Sequence, residues 1–421
     1  MDILIKNTLI YTADGNIKGD ICIKDDRIAA VGEIPADFTA DRVIDGSSKM
    51  AIPGLINCHT HSYMSVFRNI ADDLTFSDWL FGAIMPREDR LTSEDALAGA
   101  MLSCAEMIKS GTTCFMDMHM FPGMSAEAAK QTGLRAVMTR GLAGSGPDDE
   151  GAMRRYNEHM SEREKYSDVS RLTFRLAPHA IYTCGDAYLR FLVEKAYETG
   201  QSFHIHLSES RTEVENCYKE HNCSPVEYLD SMGFFDIPTC AAHCVHLSDR
   251  DIEILRDKNV NVIHNPRSNL KLANGAAPIA KLMESGVNIC LGTDSQASNN
   301  DLNMFTEMSF AALLQKGVTE DPVVCSAAQT MAMATVNGAA ALGLDTGEIK
   351  AGKKADIVLL DLDQPAYCPK NDLRSALVYS SAGMRADTVI IDGDIVLEHG
   401  VLTHADEEKI YHDANAVTER F

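Results

Sequence analysis

The sequence predicts an α/β fold: a (β/α)8 barrel of the TIM type, with a small β-sandwich domain built from both chain termini. Three observations carry this. Through the middle of the chain, apolar runs ending in polar residues alternate with helical stretches, as parallel βα units do. Eight such runs fall across about 300 residues, which suits a barrel better than an open doubly wound sheet. Hairpin texture, in contrast, is confined to the two ends.

Residues 1–52 read as short strands, Ile3 to Tyr11, Ile21 to Lys24 and Arg27 to Val31, separated by turn signals such as Ala13-Asp14-Gly15-Asn16. The same texture returns within residues 351–421, at Ala355 to Leu360 and Thr388 to Val396. Neither end has enough strands to bury both faces of a sheet, so the two are expected to pair. The barrel then occupies residues 53–350. Its first strand, Pro53-Gly54-Leu55-Ile56-Asn57-Cys58-His59-Thr60-His61, runs into two histidines one residue apart. Strand period two puts both on one side, where neutral imidazoles can bind one cation. Taken alone, the pattern fits equally well two polar residues leaving a strand.

An irregular excursion follows, then a helix from Ser93 to Ser110 with Leu97, Met101, Cys104 and Ile108 on one face. Thr92 can cap its start and Gly111 its end. Further strands are expected at Thr113–Asp117, Ala136–Thr139, Thr173–Ala177, Ser202–Leu207, Cys240–Ala242, Val260–Ile263 and Val287–Leu291.

With 421 residues, 45% of them hydrophobic and 24% charged, this is an ordinary globular composition. The net charge of −23 repels phosphate backbones and anionic lipid, which argues against nucleic acid and membrane partners and for a small molecule. Twelve cysteines without the dense spacing of a secreted scaffold, and a start lacking a basic, then apolar leader, lead us to expect a cytoplasmic protein with reduced thiols. The oligomeric state is open, a homo-oligomer included.

Read in order, the strand ends carry His59 and His61, His179, His206 and Glu209, His243, His264 and Asp294. In a barrel these positions converge on one face. A mononuclear hydrolytic centre needs neutral nitrogen donors, an oxygen donor and an open position for water, and His59, His61, His206 and Asp294 would supply them. His204 sits deeper in its strand and reads as structural or as support for a ligand. His264 reads as a core histidine, while His119, His221, His246, His399, His404 and His412 read as surface or supporting residues. Cys240 and Cys244 read as packing. The His-x-Glu and Pro-Cys-x-x-Cys zinc signature of cytidine-deaminase-type enzymes is missing, as are phosphate-binding glycine loops.

Pro53 to His61, His206-Leu-Ser-Glu209, Ala242-His243-Cys-Val-His246 and Leu291-Gly-Thr-Asp294 resemble the four signature segments of the amidohydrolase superfamily, and the likeness spans nearly the whole chain. Within it the chain is most similar to the S-adenosylhomocysteine and 5'-methylthioadenosine deaminases. The segments that carry this likeness are Met85 to Arg90, Thr139 to Leu142, Ala177-Pro-His179, Ala241 to Leu247, His264 to Leu272 and Gly292 to Asn300. The resemblance implies one divalent metal on His59, His61, His206 and Asp294, with zinc expected and iron accepted by the same donors. The fourth strand has no lysine to bridge a second metal. It also implies a nucleoside substrate, Glu88 on the ribose hydroxyls, and Arg140 and His179 against the substrate. Arg154 and Arg155 are both candidates for a further contact.

On this reading Glu209 is the proton donor to the purine ring, His243 orients the attacking oxygen, and Asp294 takes its proton. Glu209 and Asp294 thus touch the substrate too. Trp79 is either a pocket wall or a loop anchor. The pairs Asp72-Asp73 and Asp148-Asp149 read as solvated surface. Two other readings stand beside it: an aminohydrolase of another heterocycle such as guanine, a pterin or an s-triazine, and a metal-free homologue without turnover.

Overall fold

The structure, a computed structural model, describes residues 1–421. Eight parallel strands lie side by side in chain order. They are β1 (Leu55–Thr60), β2 (Thr112–His119), β3 (Arg135–Leu142), β4 (Leu172–Pro178), β5 (Phe203–Leu207), β6 (Thr239–His243), β7 (Asn261–His264) and β8 (Ile289–Leu291). Every predicted barrel strand is present, shifted by a residue or a few at its ends. The predicted helix runs Ser93–Lys109, and Thr92 and Asp95 cap its start reciprocally.

The ring closes between β8 and β1 through side chains as much as through backbone. Asn57 Nδ2 donates to Thr293 Oγ1 at 2.7 Å, Asn57 Oδ1 accepts from Thr293 N at 3.0 Å, and Asp294 N donates to the His59 carbonyl at 2.9 Å. Ile56 N, which finds no strand partner at this seam, donates to the Ala334 carbonyl at 2.8 Å. Inside the barrel, Ile56, Cys58, Cys114, Met116, Val137, Cys240, Ala242, Ile263 and Cys290 form a buried floor, plugged by Ala339, Ala341 and Leu342. Cys240 is therefore packing, as its context suggested.

The chain ends form one continuous nine-stranded mixed sheet. Lys49–Pro53 joins the halves, parallel to Ile3–Ile10 on one side and antiparallel to Ile357–Asp361 on the other. Strands from both ends share one core that includes Ile3, Ile5, Ile21, Ile23, Ile28, Ile357 and Ile390. Two of its strands, Arg42–Asp45 and Lys49–Pro53, carried no hairpin signal in the sequence. The last helix, Glu407–Thr418, leaves this sheet and packs on Ser93–Lys109, where Lys109 Nζ meets Glu407 Oε2 at 2.6 Å. No helix is long and apolar enough to cross a membrane.

A buried ion network fastens the sheet beneath the barrel. Arg135, at the start of β3, reaches Asp356 Oδ2 through Nε at 3.1 Å, Asp356 Oδ1 through Nη2 at 3.1 Å, and Asp392 Oδ1 at 2.6 Å. The Asp356 side chain is fully buried. Removing the cation strands that carboxylate, so Arg135→Met should cost about 3–5 kcal/mol of stability in a denaturant titration. A loss under about 1 kcal/mol would show the network to be energetically idle.

Candidate metal centre and active site

The strand ends of β1, β5, β6 and β8 bring His59, His61, His206, His243 and Asp294 into one buried cluster at the carboxyl mouth of the barrel. Which ring nitrogens carry protons follows from their partners. His61 Nδ1 lies 2.8 Å from the Met118 carbonyl and His206 Nδ1 2.8 Å from the His179 carbonyl. A carbonyl only accepts, so both Nδ1 atoms are protonated and both Nε2 atoms hold lone pairs. His204 Nδ1 donates to the Cys240 carbonyl at 3.2 Å, which leaves His204 Nε2 to accept from His59 Nδ1 at 2.9 Å. His59 Nε2 is then also proton-free, and it is a buried atom with no hydrogen-bond partner.

Three lone pairs therefore face one point. His61 Nε2 and His206 Nε2 lie 3.3 Å apart with no proton between them, and Asp294 Oδ1 lies 3.5 Å from both His59 Nε2 and His61 Nε2. Burial, then the neighbouring imidazoles, holds His59 and His206 well below the usual histidine range, so neither becomes protonated at neutral pH. Donors of this kind fit a divalent cation and little else.

The carboxylates are held as firmly. Asp294 Oδ2 accepts from Ser268 Oγ at 2.6 Å and Ser298 Oγ at 2.8 Å, and its Oδ1 accepts from Ser295 N at 2.8 Å. Glu209 Oε1 accepts from Asn274 Nδ2 at 3.0 Å, and its Oε2 lies 4.0 Å from His243 Nε2. Burial pushes the Glu209 carboxyl up; His243 opposes the rise and Asp294 adds to it. His243 Nδ1 bonds Asn269 Oδ1 at 2.8 Å, which aims Nε2 at the mouth. Backbone strain marks the same places: Ser208, His243 and Asp294 have φ of 50°, 73° and 63°. Side chains other than glycine adopt that region only where their surroundings over-determine it. At Gly292 a Cβ would stand 2.8 Å from His59 Cβ, so the turn into Asp294 requires glycine.

Sequence reasoning missed the residue that clamps His61. Asp117, on β2, is fully buried and accepts from Thr60 Oγ1 (2.8 Å), Ser62 N (2.8 Å), Ser62 Oγ (2.7 Å) and Ser125 Oγ (2.5 Å). Three of these donors flank His61. An aspartate within the otherwise apolar Phe115-Met116-Asp117-Met118 was the available signal. His264 is buried at the end of β7, and burial drives it down to about 3. It is buried as a core histidine would be, but neither ring nitrogen finds the hydrogen-bond partner that such a residue is expected to have.

A cavity of about 50 Å3 lies over the cluster, lined by His61, His179, His206, Glu209, His243 and Asp294 and roofed by Phe76, Trp79 and Leu80. Ligand pockets start near ~300 Å3, so entry of a substrate requires the roof to withdraw. Trp79 is both wall and anchor, since its Nε1 donates to the Ala297 carbonyl at 3.2 Å. Glu88 and Arg140 do not line this cavity. Glu88 accepts from the Tyr63 hydroxyl, and the Tyr63 ring packs on His119 at 4.5 Å. Arg140 Nε donates to Glu158 Oε2 at 3.2 Å. Arg155 Nη1 turns to the Ala143 carbonyl at 3.3 Å, whereas Arg154 Nε lies 3.7 Å from Glu158 Oε1 and is largely exposed. His119 is buried, with Nδ1 accepting from Phe121 N at 2.7 Å, and so supports the mouth from within.

The sequence profile of the amidohydrolase family matches residues 50–396, the whole barrel and its junctions. The chain belongs to the amidohydrolase family. Among curated relatives of this amidohydrolase, a 5-methylthioadenosine/S-adenosylhomocysteine deaminase of Acetivibrio thermocellus is 45% identical, covering 100% of this chain and 99% of the relative. One from Caldanaerobacter subterraneus subsp. tengcongensis is 43% identical over 98% and 97%. A 5'-deoxyadenosine deaminase of Methanosarcina mazei is 42% identical over 99% and 98%. Among solved structures, an adenosine deaminase from Xanthomonas campestris with bound zinc superposes with a TM-score of 0.94 at 30% identity, over 100% of this chain and 98% of that one. The cluster and the family together make this a divalent-metal protein.

Metal-binding histidines depend on whatever takes their second ring proton. His204→Phe removes the acceptor for His59 Nδ1–H while filling the same space, and should weaken zinc binding about 10–100-fold in competition with a chromogenic chelator. Unchanged affinity would break the tautomer assignment.

Proposed function

We propose that this amidohydrolase is a metal-dependent deaminase of adenosine thioethers, S-adenosylhomocysteine and 5'-methylthioadenosine, with adenosine also accepted. The observation that carries the reading is the convergence of three proton-free Nε2 atoms and Asp294 beside a buried acid, Glu209, and His243. The kinship to thioether deaminases supplies the substrate.

In this reading His59, His61, His206 and Asp294 hold one zinc ion, as the bound zinc of the Xanthomonas neighbour supports. Such a cation supplies hydroxide at neutral pH by lowering the pKa of water from ~15.7 toward ~7. Asp294 accepts the proton that water gives up as its oxygen adds to C6. Glu209, raised by burial, donates its proton to ring N1, so the ring can accept the electron pair. His243 holds the attacking oxygen in line with C6. Asp294 then passes its proton to the exocyclic nitrogen, the C6–N bond breaks, and ammonia leaves. The remaining hydroxyl proton returns to Glu209, which restores the acid and leaves a 6-oxo purine.

Glu88 accepts from the ribose hydroxyls in place of the Tyr63 hydroxyl it now holds. His179 lines the cavity beside His206. Its Nδ1 lies 3.1 Å from Thr183 Oγ1, and burial lowers it to about 4, so it meets the purine as a neutral ring. Triazine hydrolases and a guanine deaminase superpose as well, but at 24% and 22% identity they share the fold alone.

Ammonia release from S-adenosylhomocysteine, 5'-methylthioadenosine, adenosine, free adenine and guanine tests this. The three nucleosides should turn over and the two bases should lag far behind. Glu209→Gln should retain its zinc and lose about 10²–10⁴-fold in rate, because an amide cannot protonate N1. Guanine as the fastest substrate, or zinc lost together with activity in Glu209→Gln, would refute the assignment.

A further inference from the structure

Arg140 lies two residues before the end of β3, and its register partner on β2 is His119. The His119 ring packs on Tyr63, whose hydroxyl donates to Glu88. Arg140 therefore stands on the strand beside the corner of the mouth assigned above to the ribose. It is a buried cation, with a side chain only 9% exposed, and it spends its donors on Glu158 Oε2 (3.2 Å) and the Gly141 carbonyl (3.2 Å). A guanidinium has five donors, so most of this one is uncommitted.

Two guanidiniums, those of Arg140 and Arg154, share one carboxylate here, while the Arg155 guanidinium nearby turns to the Ala143 carbonyl. That carboxylate belongs to Glu158, in the helix Glu150–Lys165 that follows β3. Its two oxygens are shared, Oε2 with Arg140 and Oε1 with Arg154 at 3.7 Å. Glu158 is itself 43% exposed, and a half-solvated pair of this kind is held weakly enough to exchange. The cluster has the charge to bind one carboxylate strongly, and a side chain of this chain already provides it.

We infer that Glu158 is a specificity-determining residue that competes with the carboxylate of an amino-acid tail on the substrate for Arg140 and Arg154. This rests on the deaminase reading above and deepens it. A thioether ending in an amino acid must displace Glu158 before it meets the guanidiniums, whereas a methylthio substrate displaces nothing. Glu158 thereby tilts the enzyme toward substrates with short, uncharged 5' groups. Its carboxylate can swing into solvent when displaced, since the helix face that carries it is open.

The test compares kcat/KM for three substrates: S-adenosylhomocysteine, 5'-methylthioadenosine, and the thioether amine that is S-adenosylhomocysteine without its carboxylate. Glu158→Gln and Glu158→Ala should each raise kcat/KM for S-adenosylhomocysteine roughly five- to ten-fold. The gain should appear in KM. The other two substrates should stay within about two-fold, and Arg140→Met should abolish the gain when combined with Glu158→Gln. A fall for S-adenosylhomocysteine alone would show that Glu158 orients Arg140 instead of masking it. Equal changes for all three substrates would show a structural role, and either result overturns the proposal. If the unmodified protein releases ammonia from none of the three, the deaminase reading itself fails. Turnover of 5'-methylthioadenosine with an unchanged ratio in both variants would overturn this inference alone.

Discussion

The protein's chemistry depends on where four protons sit. Backbone carbonyls of Met118, His179 and Cys240 each take one N–H from an imidazole, and His204 passes the constraint on to His59. Carbonyls cannot reverse the direction of a hydrogen bond, so three Nε2 lone pairs point at one small volume. Without a cation this is an unfavourable arrangement: lone pairs 3.3 Å apart repel, and burial disfavours a proton on His206. The fold holds that arrangement in place, and a divalent cation turns it from a liability into a strong site.

That holding is distributed through the barrel. Closure at the β8–β1 seam ties Asp294 to His59 directly through a backbone hydrogen bond, so the oxygen donor and one nitrogen donor share a frame. Asp117 fixes the backbone on both sides of His61, and serines fix Asp294. The strained φ values at Ser208, His243 and Asp294 show where the surroundings overrule local preference. The terminal sheet, locked on by Arg135, leaves the carboxyl mouth free for the roof formed by Phe76, Trp79 and Leu80.

Much of this was legible in the chain. Apolar runs announced the eight strands because a barrel strand is buried on both faces, and polar residues at the ends of several such runs share the carboxyl mouth. His59, His61, His206, Glu209, His243 and Asp294 all carried that signal. Asp117 also ends an apolar run, yet its importance, like that of Asn269 and Asn274, lies in which neighbour it touches, and that is set by packing between segments far apart in sequence. The strands Arg42–Asp45 and Lys49–Pro53 were silent for a related reason. Their pairing is partly parallel and joins distant segments, so no hairpin turn marks them. Glu88 and Arg140 show a third limit. Their motifs resemble those of the family, but where each one rests, Glu88 against Tyr63 and Arg140 against Glu158, is a property of the folded mouth.

The most direct measurement of the central claim is a metal titration. Protein stripped by chelation is loaded stepwise with zinc while ammonia release from 5'-methylthioadenosine is followed. A single set of three lone pairs and one carboxylate predicts that activity starts at zero, rises in proportion to added zinc and stops at one equivalent per chain. A break at two equivalents, or full activity before any zinc is added, would contradict the account.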